Sequence, residues 1–276
     1  MFDYFKQAKR FEIQALERLG EERLPRPRPA SERPGFTQAL MRSAGSEGLA
    51  VIAEYKRASP SQGDIALEVS PVQAAKAYAA SGAAAISVLT EKSKFKGRLA
   101  FIDQAQAGLR DAVQSRTAEI IPPILRKDFI FHPLQIRATA ATGASALLLI
   151  VKLTPSAELL AALMAKARGY GLECVVEILD EDDLKLARQA GAGIIQVNAR
   201  DFSDLSVDLN RSLALAEKHL ANDEIWIAAS GLKEAEDLER VRRAGFTAAL
   251  IGTALMRGGR PAEALKRLQL NRSGSC

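Results

Sequence analysis

The chain has 276 residues, 47% hydrophobic and 26% charged, which is enough for one large core and within the size of a single α/β barrel. Lys plus Arg exceeds Asp plus Glu by 38 − 33 = 5, a mild excess with no block of five like charges, which suits an anionic small molecule better than a nucleic-acid track. Two cysteines without CxxC spacing and two histidines argue against a disulfide framework or a metal centre. With no apolar signal core and no run of roughly 18 apolar residues, the expectation is a cytoplasmic protein without membrane contact.

In chain order, the first segment is charged and amphipathic, with Phe2, Phe5, Phe11, Leu16 and Leu19 near helical spacing. A Pro/Arg-rich connector follows at 23–34, then a helix-like stretch around 36–44. Residues 1–48 therefore read as an N-terminal helical extension, and 49–276 as the main domain. From Val51 the pattern changes. Strand-like runs at 51–55, 84–90, 119–125, 145–151, 172–178, 193–198, 224–230 and 247–252 alternate with amphipathic segments such as 71–81, 155–169, 181–190, 209–220 and 234–244. Glycines at the helix-to-strand joins (Gly82, Gly143, Gly191, Gly245) suit helix C-termini that need φ > 0. Strand alternating with helix eight times predicts an α/β fold, a (β/α)8 TIM barrel behind the helical extension. No GxGxxG follows the first strand, which counts against a dinucleotide fold.

In such a barrel the chemistry sits at the C-terminal ends of the strands. Alternation puts Glu54 and Lys56 on one face of the first strand and Ala53 and Tyr55 on the other, so the two charges turn toward the barrel mouth. The third strand ends in Arg126-Lys127-Asp128, the fifth in Glu177, the sixth in Asn198 with Arg200 beyond. Any one of these alone is more simply a strand end facing water, but their convergence on one rim favours a site. Ser230-Gly231 and Gly252-Thr253 end the last two strands, where loops and helix N-termini often hold phosphate, and Ser59 and Ser61 can add hydroxyls. Phe95, Phe129 and Leu148 are suited to a flat aromatic group, or to ordinary core. A lysine beside a carbonyl can act as general acid and a partly buried glutamate as base. Lysines can equally form Schiff bases, and the residues alone leave that open.

Specific strings narrow the reading. AEYKRASPSQGDI at 53–65 resembles the signature of indole-3-glycerol-phosphate synthases. The likeness continues in family order through ISVLTEKSKFKG (86–97), PILRKDFI (123–130), LLLIVKLT (147–154), VVEILDEDDL (175–184), VNARDF (197–202), ASGL (229–232) and LIGTALMR (250–257). The resemblance implies conversion of 1-(2-carboxyphenylamino)-1-deoxyribulose 5-phosphate to indole-3-glycerol phosphate with loss of carbon dioxide and water, without metal or organic cofactor. It implies Lys127 as general acid, Glu177 as proton acceptor or donor, Lys56 near the substrate carboxylate, and Glu54 and Asn198 positioning them. It further implies Ser59, Ser230, Gly231, Gly252 and Thr253 at substrate or phosphate contacts, and Phe95, Phe129, Leu148 and Arg200 around the anthranilate ring. The N-terminal extension resembles the family segment that covers part of the mouth. The partner implied is a phosphorylated small molecule, and monomer or weak oligomer stays open.

One position departs from the pattern. Where the family reads Glu-Ser-Gly at the end of the seventh strand, this chain has Ala229-Ser230-Gly231. The missing carboxylate leaves the two lysines with less negative company and predicts a slower enzyme. It is also the one feature that would suit a catalytically silent member. Another phosphate-binding barrel, such as a phosphoribosylanthranilate isomerase, would lack the EYKRASPS string.

Overall fold

The structure, a computed structural model, describes residues 1–201 and 204–270. Eight parallel strands close into a barrel: β1 (Ala50–Tyr55), β2 (Ala85–Leu89), β3 (Ile124–Ile130), β4 (Ala146–Ile150), β5 (Glu173–Ile178), β6 (Ile194–Asn198), β7 (Ile225–Ala229) and β8 (Ala248–Ile251), with β8 paired back onto β1. Alternation divides the side chains into two cores. Ala53, Tyr55, Val176, Ile178, Trp226 and Ala228 face the surrounding helices, while Ile52, Leu125, Val175, Ile194, Ile227, Ala229 and Leu250 fill the interior. Among the described residues no helix is long and apolar enough to cross a membrane.

The strand predicted at 119–125 instead runs from Ile124 to Ile130, so Arg126-Lys127-Asp128 lies within it rather than at its end. Pro122 and Pro123 have no N–H to give a ladder, and a central strand excludes them. Gly82, Gly191 and Gly245 have the expected positive φ, but Gly143 does not. It is needed for space, since a Cβ there would lie 2.5 Å from the Gln106 side chain.

Before the barrel come α1 (Phe2–Leu19) and α2 (Phe36–Glu47). The buried stripe of α1 is Phe5, Lys9 and Ile13 at i, i+4, i+8, and Phe11, expected among the apolar set, is 71% exposed. The two helices reach opposite ends of the barrel. Phe5 stacks on Phe129 near the C-terminal end of β3, with ring centroids 3.7 Å apart. The backbone N–H groups of Phe36 and Thr37 at the start of α2 donate instead to the Glu173 carboxylate, at the first residue of β5.

The connector between them is held by its arginines. The arginines reach carbonyls at and just beyond the end of the helix Pro133–Ala140, which lack intrahelical partners. Arg33 donates to the carbonyls of Ala140, Thr142 and Ala144, and Arg28 donates to the Ala141 carbonyl, Gln106 and Asp103. Arg137 on that helix returns bonds to the carbonyls of Leu24 and Pro25. A short 3-10 turn at Ala30–Glu32 and the backbone bond from Arg28 N–H to the Ala140 carbonyl complete the attachment.

Candidate active site

The C-terminal ends of the strands surround a cavity of about 1020 Å³. Lining it are Glu54, Lys56, Ser59, Phe95, Lys127, Phe129, Leu148, Glu177, Asn198, Arg200, Ser230, Gly231, Gly252 and Thr253, so every residue given a role by the resemblance meets at one mouth, while Arg126, expected on the same rim, does not. Ser61, Leu250 and Arg257 line it too.

Two carboxylate–lysine pairs stand inside. Lys127 on β3 and Glu177 on β5 each point inward by alternation, and Lys127 Nζ lies 3.1 Å from Glu177 Oε2. Glu177 is fully buried, and the Lys127 side chain keeps 16% of its exposure. Such a carboxylate, taken from water, needs donors. Glu177 Oε2 has two, Lys127 and the side-chain amide of Gln196 at 2.5 Å, whereas Oε1 has no protein partner. On β1, Lys56 Nζ sits 3.0 Å from Glu54 Oε1, and Ser87 on β2 donates to Glu54 Oε2 at 3.3 Å. The Glu54–Ser87 contact follows directly from strand register, since the two residues are Cα partners.

Backbone shape completes the rim. A Cβ at residue 252 would lie 2.4 Å from Glu54 Oε1 and 3.0 Å from Lys56 Nζ, so Gly252 is what lets β8 approach the first pair. Ser230 is a non-glycine residue at φ 69, followed by Gly231 at φ 79. A serine held in the left-handed region costs backbone energy, and this turn carries it at the cavity wall. Asn198 accepts from the Arg200 backbone N–H at 3.0 Å, and Arg200 donates to the Leu205 carbonyl at 2.9 Å. Burial pulls the Arg200 guanidinium below its ordinary value.

Opposite the phosphate-compatible turns lies an apolar wall. Phe95 and Phe129 face each other at 6.4 Å, with Leu148 fully buried beside them. Phe95 rides on the loop after β2, and the buried Glu91 carboxylate holds that loop by accepting from the backbone N–H groups of Ser93, Lys94 and Phe95.

Three contributors escaped sequence reasoning. Phe5 was legible only as a helical apolar residue, yet it packs on Phe129 and lies 6.2 Å from Phe95. Lys9 anchors α1 to Asp128 at 2.8 Å, from the middle of an apolar stripe that gave no warning of a buried charge. Gln196 lies two residues before Asn198 and so shares its inward face; strand parity alone would have found it.

Comparison with known proteins agrees with this geometry. The model of the indole-3-glycerol phosphate synthase family matches residues 4–268. The chain is 40% identical over 241 residues to the indole-3-glycerol phosphate synthase of Desulfosudis oleivorans, covering 86% of this chain and 85% of that protein. It is 38% identical over 260 residues to the synthase of Desulfotalea psychrophila, covering 93% and 94%. Among solved structures it is similar in fold to thiamine phosphate pyrophosphorylase from Pyrococcus furiosus, with a TM-score of 0.57, 14% identity, and coverage of 82% of this chain and 96% of the other.

Proposed function

This chain belongs to the indole-3-glycerol phosphate synthase family, and on that premise we propose that Lys127 and Glu177 carry the proton transfers of its reaction at the barrel mouth. The activity is a decarboxylating ring closure in tryptophan biosynthesis, from 1-(2-carboxyphenylamino)-1-deoxyribulose 5-phosphate to indole-3-glycerol phosphate. Both relatives carry the synthase name, which disfavours the isomerase and the silent-member alternatives.

Ring closure joins the carboxylate-bearing aryl carbon to the ribulose carbonyl carbon. The carbonyl oxygen gains negative charge as the bond forms, and Lys127, part-exposed at the cavity, is placed to protonate it. Carbon dioxide then leaves the aryl carbon, which restores the aromatic ring. The new hydroxyl departs as water once protonated, and the proton lost in forming the pyrrole double bond passes to a carboxylate, for which Glu177 Oε1 is unoccupied by any protein donor. Lys56, held by Glu54, is placed to neutralise the substrate carboxylate before it leaves, and Asn198 orients the rim beside Arg200.

Two anchors at opposite ends hold this intramolecular closure in an attacking geometry. The apolar wall of Phe95, Phe129 and Leu148 takes the anthranilate ring, with Arg200 beside it. The turns at Ser230-Gly231 and Gly252-Thr253, with Ser59, take the phosphate. The observation that carries the reading is the 3.1 Å contact between Lys127 Nζ and Glu177 Oε2 inside this cavity. The test is steady-state turnover with appearance of indole-3-glycerol phosphate, for the native chain, Lys127→Ala and Glu177→Gln. Each variant should keep its melting transition and lose about 10²-fold or more in kcat; native-like turnover in either removes that residue from the proposed role.

A further inference from the structure

We propose that Gln196 is a positioning residue for Glu177, holding Oε2 and with it the plane of the carboxylate; this rests on the role given to Glu177 above. Gln196 and Glu177 are Cα partners in the β5–β6 ladder, so the register itself brings the two inward side chains together. Both are fully buried, and the Gln196 Nε2 amide donates to Glu177 Oε2 at 2.5 Å. Val175, Ile194, Ile227, Ala229 and Leu250 pack the interior near them, while Lys127 and Asn198 line the cavity they adjoin. A buried amide is costly unless it makes specific bonds; here Nε2 bonds Glu177, and Gln196 Oε1 has no partner among the described residues.

Three features of that bond suit positioning rather than packing. The carboxylate also accepts from Lys127, but an ammonium on a flexible four-carbon stem leaves the terminal carboxylate torsion loosely defined. A second donor, from a neighbouring strand and to the same oxygen, fixes the plane. Both protein donors then fall on Oε2, and Oε1 stays unpartnered. Lys127 also changes its protonation during the proposed cycle, so its hold on Glu177 weakens when it acts. A neutral amide cannot be deprotonated at working pH and keeps the carboxylate in place through that step. The amide orientation is itself dictated by Glu177, because the reversed amide would set oxygen against oxygen.

The experiment is a double-mutant cycle on the full chain with the carboxyphenylamino-deoxyribulose phosphate as substrate, across pH. Gln196→Met keeps the length and volume of the side chain and removes the donor. It should lower kcat about tenfold or more, the loss of one hydrogen bond to a charged group, with KM changed less than about twofold. The pH profile of kcat should differ from the native one, which a loss of packing alone would not cause. In a Glu177→Gln background the same substitution should cost nothing further. Full kcat in Gln196→Met, or an equal loss in both backgrounds, overturns the inference while leaving the Glu177 role standing. Native turnover in Glu177→Gln overturns both. Gln196→Leu repeats the measurement if the methionine variant melts below the assay temperature.

Discussion

The two faces of β3 hold buried charges of opposite purpose. Arg126 and Asp128 turn outward, and every polar group there is partnered. Arg126 donates to Thr90, Thr139, Asp128 and the Gln135 carbonyl, and Asp128 accepts from Lys9, Thr90, Arg126 and the Phe129 backbone N–H. Lys127 turns inward to Glu177, whose second oxygen has no protein partner. A saturated cluster has nothing left to give a ligand, so the outer face is structural. An unsaturated pair in a cavity keeps its capacity for the reaction. One residue of strand parity separates fold from chemistry.

The largest effects should come from breaking the inner face. Lys127→Ala removes the proposed acid, and the expected loss is about 10²- to 10⁴-fold in kcat; buried Glu177 loses its cation, so the melting temperature should fall, but less than in the outer cluster because Lys127 is part-exposed at the cavity. A large fall in melting temperature instead would mean that the inner pair is as structural as the outer one.

Lys9→Met reverses the pattern. It leaves Asp128 buried without one of its cations, for a stability loss of about 3 kcal/mol measured by denaturant unfolding. Its effect on turnover should be mainly through KM, since α1 carries Phe5 against the aromatic wall.

Acid sharpens the same contrast. Burial by itself would raise the Asp128 carboxyl, but the Lys9 ammonium and the Arg126 guanidinium, with hydrogen bonds from Lys9 and Thr90, hold it well below the usual carboxylate range. A carboxyl depressed on folding contributes stability that is present above its unfolded value of about 3.9 and is lost as pH falls through its folded value. The outer cluster of the native chain should therefore survive the pH at which ordinary carboxylates titrate. In Lys9→Met the acid unfolding midpoint should move upward, as followed by far-ultraviolet circular dichroism.

How much of this was legible in the sequence follows from parity and from what parity cannot reach. The barrel, the inward turn of Glu54 and Lys56, and the cavity-facing positions of Lys127, Glu177 and Asn198 all follow from alternation and strand ends, which are local. The outer cluster does not. Lys9 and Asp128 are far apart in the chain, and no spacing rule links a lysine in an apolar helical stripe to a strand it meets only after folding. The connector is similar: its composition marks it as Pro/Arg-rich, and only the free carbonyls at the end of the helix Pro133–Ala140 give its arginines a purpose. The late start of β3 is legible in the two prolines that precede it, since neither can give an N–H to a ladder.

Ala229 offers the finest test. It lies on the inward face of β7 with Ile225 and Ile227, and its register partners are Asn198 and Leu250. A glutamate side chain at this position projects into the mouth that already holds the two lysine pairs. If the inner face works because its charges are incompletely matched, Ala229→Glu supplies the carboxylate that the family pattern has there, and turnover should rise about severalfold, an effect worth roughly 1 kcal/mol in the barrier. The pH profile should change with it, since the mouth gains a further titratable group. The outer cluster should be indifferent, so acid unfolding should keep its native midpoint. Unchanged turnover and an unchanged profile would show that the lysines of this chain were never short of negative company, and that Glu54 and Glu177 meet the whole electrostatic need of the mouth.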